Sequence, residues 1–208
     1  MRVRAEVILE VDGREVYRGP SKSLVINFAK LLLAMLSAPG NTPQGTSGII
    51  ASTIVTALDS TSKYVWTEWY GSYNGGGTPM ATNAPDNDSS FGVVVGSGTN
   101  PVSLTDYQLS SQIPHGTSTG QLDYDPHTVA SSYSSTSSYV EIARSFVNRS
   151  GSDVVVREVG LVTRNYWKDK NAVGNDVKFL IARDVLPAPV TVKPLGSLTV
   201  RYRIGLSL

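Results

Sequence analysis

Ser197-Leu-Thr-Val-Arg-Tyr-Arg-Ile-Gly-Leu-Ser-Leu208 is the stretch whose reading decides the fold. Leu198, Val200, Tyr202, Ile204, Leu206 and Leu208 take every second position, and Thr199, Arg201, Arg203 and Ser207 stand between them. Successive side chains of a strand point to opposite faces, so this period of two reads as a strand with one apolar and one polar face. The alternation runs to the last residue, which predicts that this end of the chain is built into a sheet.

A second strand of the same kind lies at the opposite end. Val3, Ala5, Val7, Leu9 and Val11 share one face, with Arg2, Arg4, Glu6 and Glu10 on the other. Asp12-Gly13 is a hairpin dipeptide, and Arg14 to Tyr17 is expected to return beside the strand. The start lacks an apolar segment after its basic residues and is expected not to be a signal peptide. A strand's sequence does not reveal whose sheet it joins. Pairing within the chain and donation to a neighbouring subunit both stay open, and for donation Val3, Val7, Leu9 and Val11 are the residues that would fill the neighbour's groove.

Between these strands one helix is expected, over Ser23 to Leu36 within a helical region 21–37. Leu24, Ile26, Phe28, Leu31, Leu32, Met35 and Leu36 form its apolar face, Asn27, Lys30 and Ser37 lie opposite, Ser21 or Ser23 caps it, and Pro39-Gly40 ends it. At about fourteen residues it is shorter than the roughly twenty that a membrane span needs, so it reads as a core-packing helix.

Residues 40–138 are rich in Gly, Ser, Thr, Asn and Tyr, broken by apolar runs. Tyr64-Val-Trp-Thr-Glu-Trp-Tyr70 puts aromatic residues on both faces, as for a strand buried on both sides or at a subunit contact. Trp66, Trp69 and Tyr70 are therefore candidate interface residues, or alternatively a platform for stacking sugars. Phe91-Gly-Val-Val-Val-Gly-Ser-Gly-Thr99 reads as a strand ending in a turn, because no helix opens on its glycines as a phosphate loop requires. Gly116 to Gly120 and Ser131 to Ser138 read as loop. Beyond 139 the chain becomes dense β: strands are expected at Val140–Asn148, Val154–Thr163, Val177–Val185 and Pro189–Lys193, with a polar loop from Asn165 to Asp176. Pro187 and Pro189 favour an edge or a crossing between sheets. Short strands, frequent turns and one N-terminal-half helix define a mainly β chain, a β-sandwich of jelly-roll or Greek-key-like order forming a single domain over 1–208. Its parts are the hairpin at 1–19, the helix, the 40–138 region and a C-terminal sheet at 139–208.

Composition excludes several functions. Charged residues are 17% of the chain and the net charge is +1, unlike an electrostatic nucleic-acid binder. The chain has no cysteine, hence no disulfide framework and no thiolate metal site or nucleophile. His115 and His127, with Asp123 and Asp125 nearby, match no metal-ligand spacing, and Asp86 and Asp88 lack the rest of a calcium loop. No serine sits in a nucleophile elbow. No catalytic, cofactor or metal residue is assigned. Asn87-Asp-Ser89 and Asn148-Arg-Ser150 are glycosylation sequons, which matter only where a glycosylating machinery is met.

Several segments resemble a family. Ser23-Leu-Val-Ile-Asn27 opening a Leu-rich helix, Val93-Val-Val-Gly-Ser-Gly-Thr-Asn-Pro-Val102 running into Leu104-Thr-Asp106, Arg157-Glu-Val-Gly-Leu161, Leu180-Ile-Ala-Arg-Asp-Val185 and Gly196-Ser-Leu-Thr-Val200 are similar, in matching order, to minor structural and tail-fibre-type proteins of tailed phages. The insert between about Ile49 and Ser90 and the N-terminal strand depart from that pattern and resemble filament subunits of some archaeal viruses. The resemblance implies a non-enzymatic virion structural protein, made in the host cytoplasm and carried on the particle surface. It implies self-association by strand pairing or donation, contact with other virion proteins, and as an alternative a minor tail component or a tip that binds a host receptor or glycan.

Overall fold

The computed structural model describes residues 2–21, 23–36, 52–66, 80–168 and 174–207. In chain order its elements are β1 (Arg2–Val11), β2 (Arg14–Pro20), α1 (Ile26–Leu36), β3 (Ser52–Thr56), β4 (Ser62–Trp66), β5 (Gly92–Gly96), β6 (Asp123–Tyr124), β7 (Thr128–Tyr133), β8 (Ser137–Val147), β9 (Val154–Lys168), β10 (Gly174–Val192) and β11 (Ser197–Ser207). The chain is mainly β, and every ladder between named strands is antiparallel.

The larger sheet has the order β2-β1-β11-β8, with β6 and β7 both pairing with β8. The alternating stretch at the C-terminal end is its central strand, paired to β1 on one side and β8 on the other. Leu198, Val200 and Tyr202 are fully buried, and Val7 and Leu9 sit opposite Tyr202 and Val200 on the same face. The polar face of the same strands carries alternating charge. Arg203 bonds Glu141 at 2.6 Å and reaches Glu6 at 3.4 Å, and Arg201 bridges Glu10 at 3.0 Å and Glu141 at 3.3 Å. Ile8 is buried on this outer face, flanked in register by Arg18 and Arg201, and arginine stems cover apolar surface of this kind. Asp12 and Gly13 both take positive φ, 50° and 77°, as a two-residue hairpin turn requires.

A second sheet, β10-β9-β5, packs over the apolar face of the first, and the core lies between them in the manner of a β-sandwich. All five residues of β5 are buried. The β3–β4 hairpin forms a third, two-stranded sheet, and β4 packs against β9.

Five expectations are corrected. The helix begins at Ile26, because residues 23–25 instead run along the free edge of β10: Val25 N–H donates to Ile181 O and Arg183 N–H to Ser23 O. Ser21 and Ser23 therefore do not cap α1; their hydroxyls donate to Asp184. The helix is also turned from the expected face. Asn27 is buried with Leu31, while Ile26 and Leu32 are exposed, because the amide of Asn27 satisfies backbone groups of β3 and β10. The segment expected as a polar loop at Asn165–Asp176 instead extends the β9–β10 hairpin to Lys168 and Gly174. Pro187 and Pro189 fall where the β10–β9 register shifts between Val185 and Val190, so two expected strands are one with a bulge that accommodates residues unable to donate to the ladder.

Candidate functional site

Motifs that lie far apart in sequence converge on one buried cluster. Glu158 on β9, from Arg157-Glu-Val-Gly-Leu161, is completely buried. Arg183 on β10, from Leu180-Ile-Ala-Arg-Asp-Val185, donates to Glu158 at 2.8 Å and to Asp106 at 2.8 Å. Its remaining donors reach Asn100 O and Pro101 O. Burial alone would lower the pKa of Arg183, but its hydrogen bonds to Asp106 and Glu158 outweigh it and hold the guanidinium above its ordinary value. Glu158 in turn accepts the backbone N–H of Gly98, Ser110 and Ser111. A side chain on Gly98 would collide with Ser110 and Glu158, so the glycine is needed for the close approach. Gly160 leaves the space that Leu109 fills, since an added Cβ would lie 2.8 Å from the Leu109 methyl. The cluster thus clamps residues 97–111 onto the second sheet, and its acceptors and donors are spent on each other and on backbone.

A second buried centre surrounds Arg144 on β8. Its guanidinium donates to Asp125 O at 2.6 Å, Pro85 O at 3.0 Å and Phe91 O at 3.4 Å, and stands 4.7 Å above the Tyr124 ring. Burial lowers its pKa to about 10, which leaves it charged at neutral pH. Tyr124 donates to Ile113 O, and burial pushes its phenol up to about 12. His127 accepts the Val93 N–H at Nε2, and its Nδ1 faces Ala84 O at 3.4 Å. These partners fit a neutral imidazole, and burial, aided by Arg144, holds its pKa down to about 3. His115 lies apart, accepting Tyr124 N–H at Nδ1 beside Asp123.

The sequence-derived interface residues divide. Val7 and Leu9 are buried in the chain's own core, and Val11 is half-buried and pairs with Leu198. Val3 pairs with Leu206. The structure therefore seats the N-terminal strand in its own sheet, between β2 and β11, where Val7 and Leu9 are already used in the core. Trp66 ends β4, opposite Ser52. Trp69 and Tyr70 lie outside the described residues. Of the two sequons, Asn87 is exposed, whereas Asn148 is fully buried with its amide donating to Ser152 O and Val192 O and accepting from Ser150. Asn148 is thus closed to modification in the folded chain.

The element that sequence reasoning missed is β7. The sequence predicts loop from Ser131, yet Thr128–Tyr133 pairs with β8 along its whole length and all six residues are exposed. Among the described residues nothing pairs with its outer edge. The available signal was six residues without Gly, Pro or charge, followed by the Ser134–Ser137 turn, where Ser134 N–H donates to Ser137 O. At the opposite edge, β2 and the bend of β10 frame two adjoining shallow grooves that share Tyr17 and Pro187 and are mainly apolar.

Compared with protein-family models, with curated proteins and with solved structures, the chain matches none. Among the described residues no helix is long and apolar enough to cross a membrane.

Proposed function

We propose that this chain is a non-enzymatic structural protein of a virus particle, carried on the particle surface, that assembles with copies of itself and with other virion proteins through its sheet edges. The observation that carries the reading is the outer edge of β7, with which nothing pairs among the described residues. Edge strands present a row of unpaired donors and acceptors, and proteins that must stay monomeric blunt them with charge, proline, bulges or a covering element. β2 is blunted by Arg14, Glu15, Arg18 and Pro20, whereas β7 carries none of these. The buried polar clusters support the same reading. Glu158, Arg183, Arg144 and His127, the groups a catalyst would need free, hold loops in place instead. The phage-like segments supply the motif residues of the larger cluster, so what the resemblance covers is a scaffold.

Electron microscopy of negatively stained protein, with mass measurement across concentration, tests the proposal. Regular oligomers or fibres are the expected result. A monomer at every concentration would overturn it.

A further inference from the structure

Sheet geometry restricts what the outer edge of β7, unpaired among the described residues, can accept. Residues directly opposed across an antiparallel pair share a face. Val129 opposes Ile142, Ser131 opposes Val140 and Tyr133 opposes Ser138, so Val129, Ser131 and Tyr133 continue the core-facing side of the sheet. There the apolar surface runs out into solvent: Val129 is 53% exposed, Tyr133 77% and Val140 39%. On the other side β7 offers only Thr128, Ala130 and Ser132, without a charge to repel a copy of itself.

We propose that β7 pairs antiparallel with β7 of a second copy of this chain, about a two-fold axis through Ser131. The inference rests on the self-assembling reading above and names the surface and the register. A two-fold axis between antiparallel edge strands stands perpendicular to the sheet, so like faces meet and the axis falls at a residue rather than between residues. Centred on Ala130, the pairing leaves Tyr133 overhanging; centred on Ser132, it sets Val129 against the turn. Centred on Ser131, it places Val129 opposite Tyr133 of the second copy twice over, a β-branched and aromatic pair of the kind that stabilises sheets, with the two serines facing each other at the axis. The eight strands of β2, β1, β11 and β8 from two copies then join through the β7 pair into one continuous sheet.

The cysteine-free chain makes the register directly readable. Ser131→Cys puts two thiols opposite each other on the axis, within reach of a disulfide. Under mild oxidation Ser131→Cys is expected to give a linked dimer, Ala130→Cys and Ser132→Cys alone are not, and an equal mixture of those two is expected to give a linked pair. Ser131→Lys at this exposed site is expected to keep the melting temperature and to weaken association at least about tenfold, because like charges then oppose each other. Linkage through Ala130→Cys or Ser132→Cys alone, or association unchanged in Ser131→Lys, would overturn the inference while leaving a self-assembling protein. A wild-type chain that stays monomeric at every concentration would remove both readings.

Discussion

Glu158 shows how much one buried side chain can fix. It is fully enclosed, it accepts three backbone N–H groups from residues 98–111, and it is the partner of a cation that is itself 2% exposed. Replacing such a pair by apolar groups can be neutral, but removing one partner leaves a buried charge uncompensated. Glu158→Gln is therefore expected to cost about 3 kcal/mol in denaturant unfolding, and to raise amide exchange at Gly98 and Ser111 first. Combining it with Arg183→Met should cost less than the sum of the two single changes, since the residues act as a unit. His127 makes a different prediction. Its pKa is about 3 in the folded chain against 6.5 for a free imidazole, so folding favours the neutral form. The stability it contributes is complete above pH 6.5 and falls as pH drops towards 3. From pH 7 to pH 5 the loss amounts to about 2 kcal/mol. Urea titrations of the wild type and His127→Gln should show the variant with the flatter acid limb, and an equal slope would assign the acid sensitivity to other groups.

At the scale of elements, side chains decide where strands and the helix end. The amide of Asn27 donates to Thr56 O at 2.9 Å and Leu180 O at 3.2 Å and accepts Thr56 N–H at 3.0 Å, tying α1 to two sheets at once. Asn27→Ala strands these groups and is expected to cost about 1–3 kcal/mol, read from the midpoint of chemical unfolding, with α1 the first segment to lose amide protection. The helix also shows where sequence reasoning stops. Its existence was legible from the apolar spacing, but its orientation was not, because Asn27 looks like a solvent residue until the backbone edge that needs it is known. The two terminal strands were legible for the opposite reason: one face is buried and the other, apart from Ile8, is polar, so period two is plain in both. β7 has no buried face, so it leaves no such pattern. The clamp was legible only as separate motifs. Glu158, Arg183 and Asp106 each stood in a quoted segment, yet nothing in the spacing of residues 106, 158 and 183 says that they meet, because that meeting depends on β9 and β10 pairing and on the loop folding back.

Over the whole molecule the two ends of the chain are structurally one unit. β1 pairs with β11 from Arg2↔Ser207 to Val11↔Leu198, and Val7 and Leu9 contribute to the same core as Val200 and Tyr202. An N-terminal strand that served mainly as a donor to a neighbour could be removed with loss of assembly and little else. Here its removal uncovers one flank of the central strand and a core face, and also strips β2 of the one strand it pairs with among the described residues. Two fully buried aliphatic side chains alone represent several kcal/mol, each being worth about 1.5–3 kcal/mol on burial, against a typical total stability of about 5–15 kcal/mol. Deleting residues 2–11 is therefore expected to abolish cooperative thermal unfolding and leave an aggregating chain with reduced strand content by circular dichroism. A stable, folded monomer from that deletion would mean that β1 is dispensable to its own sheet, which would favour strand donation as the joint between subunits. The Ser131→Lys chain provides the contrast: it changes an edge that the fold does not use, so it should melt as the wild type does and differ only in association.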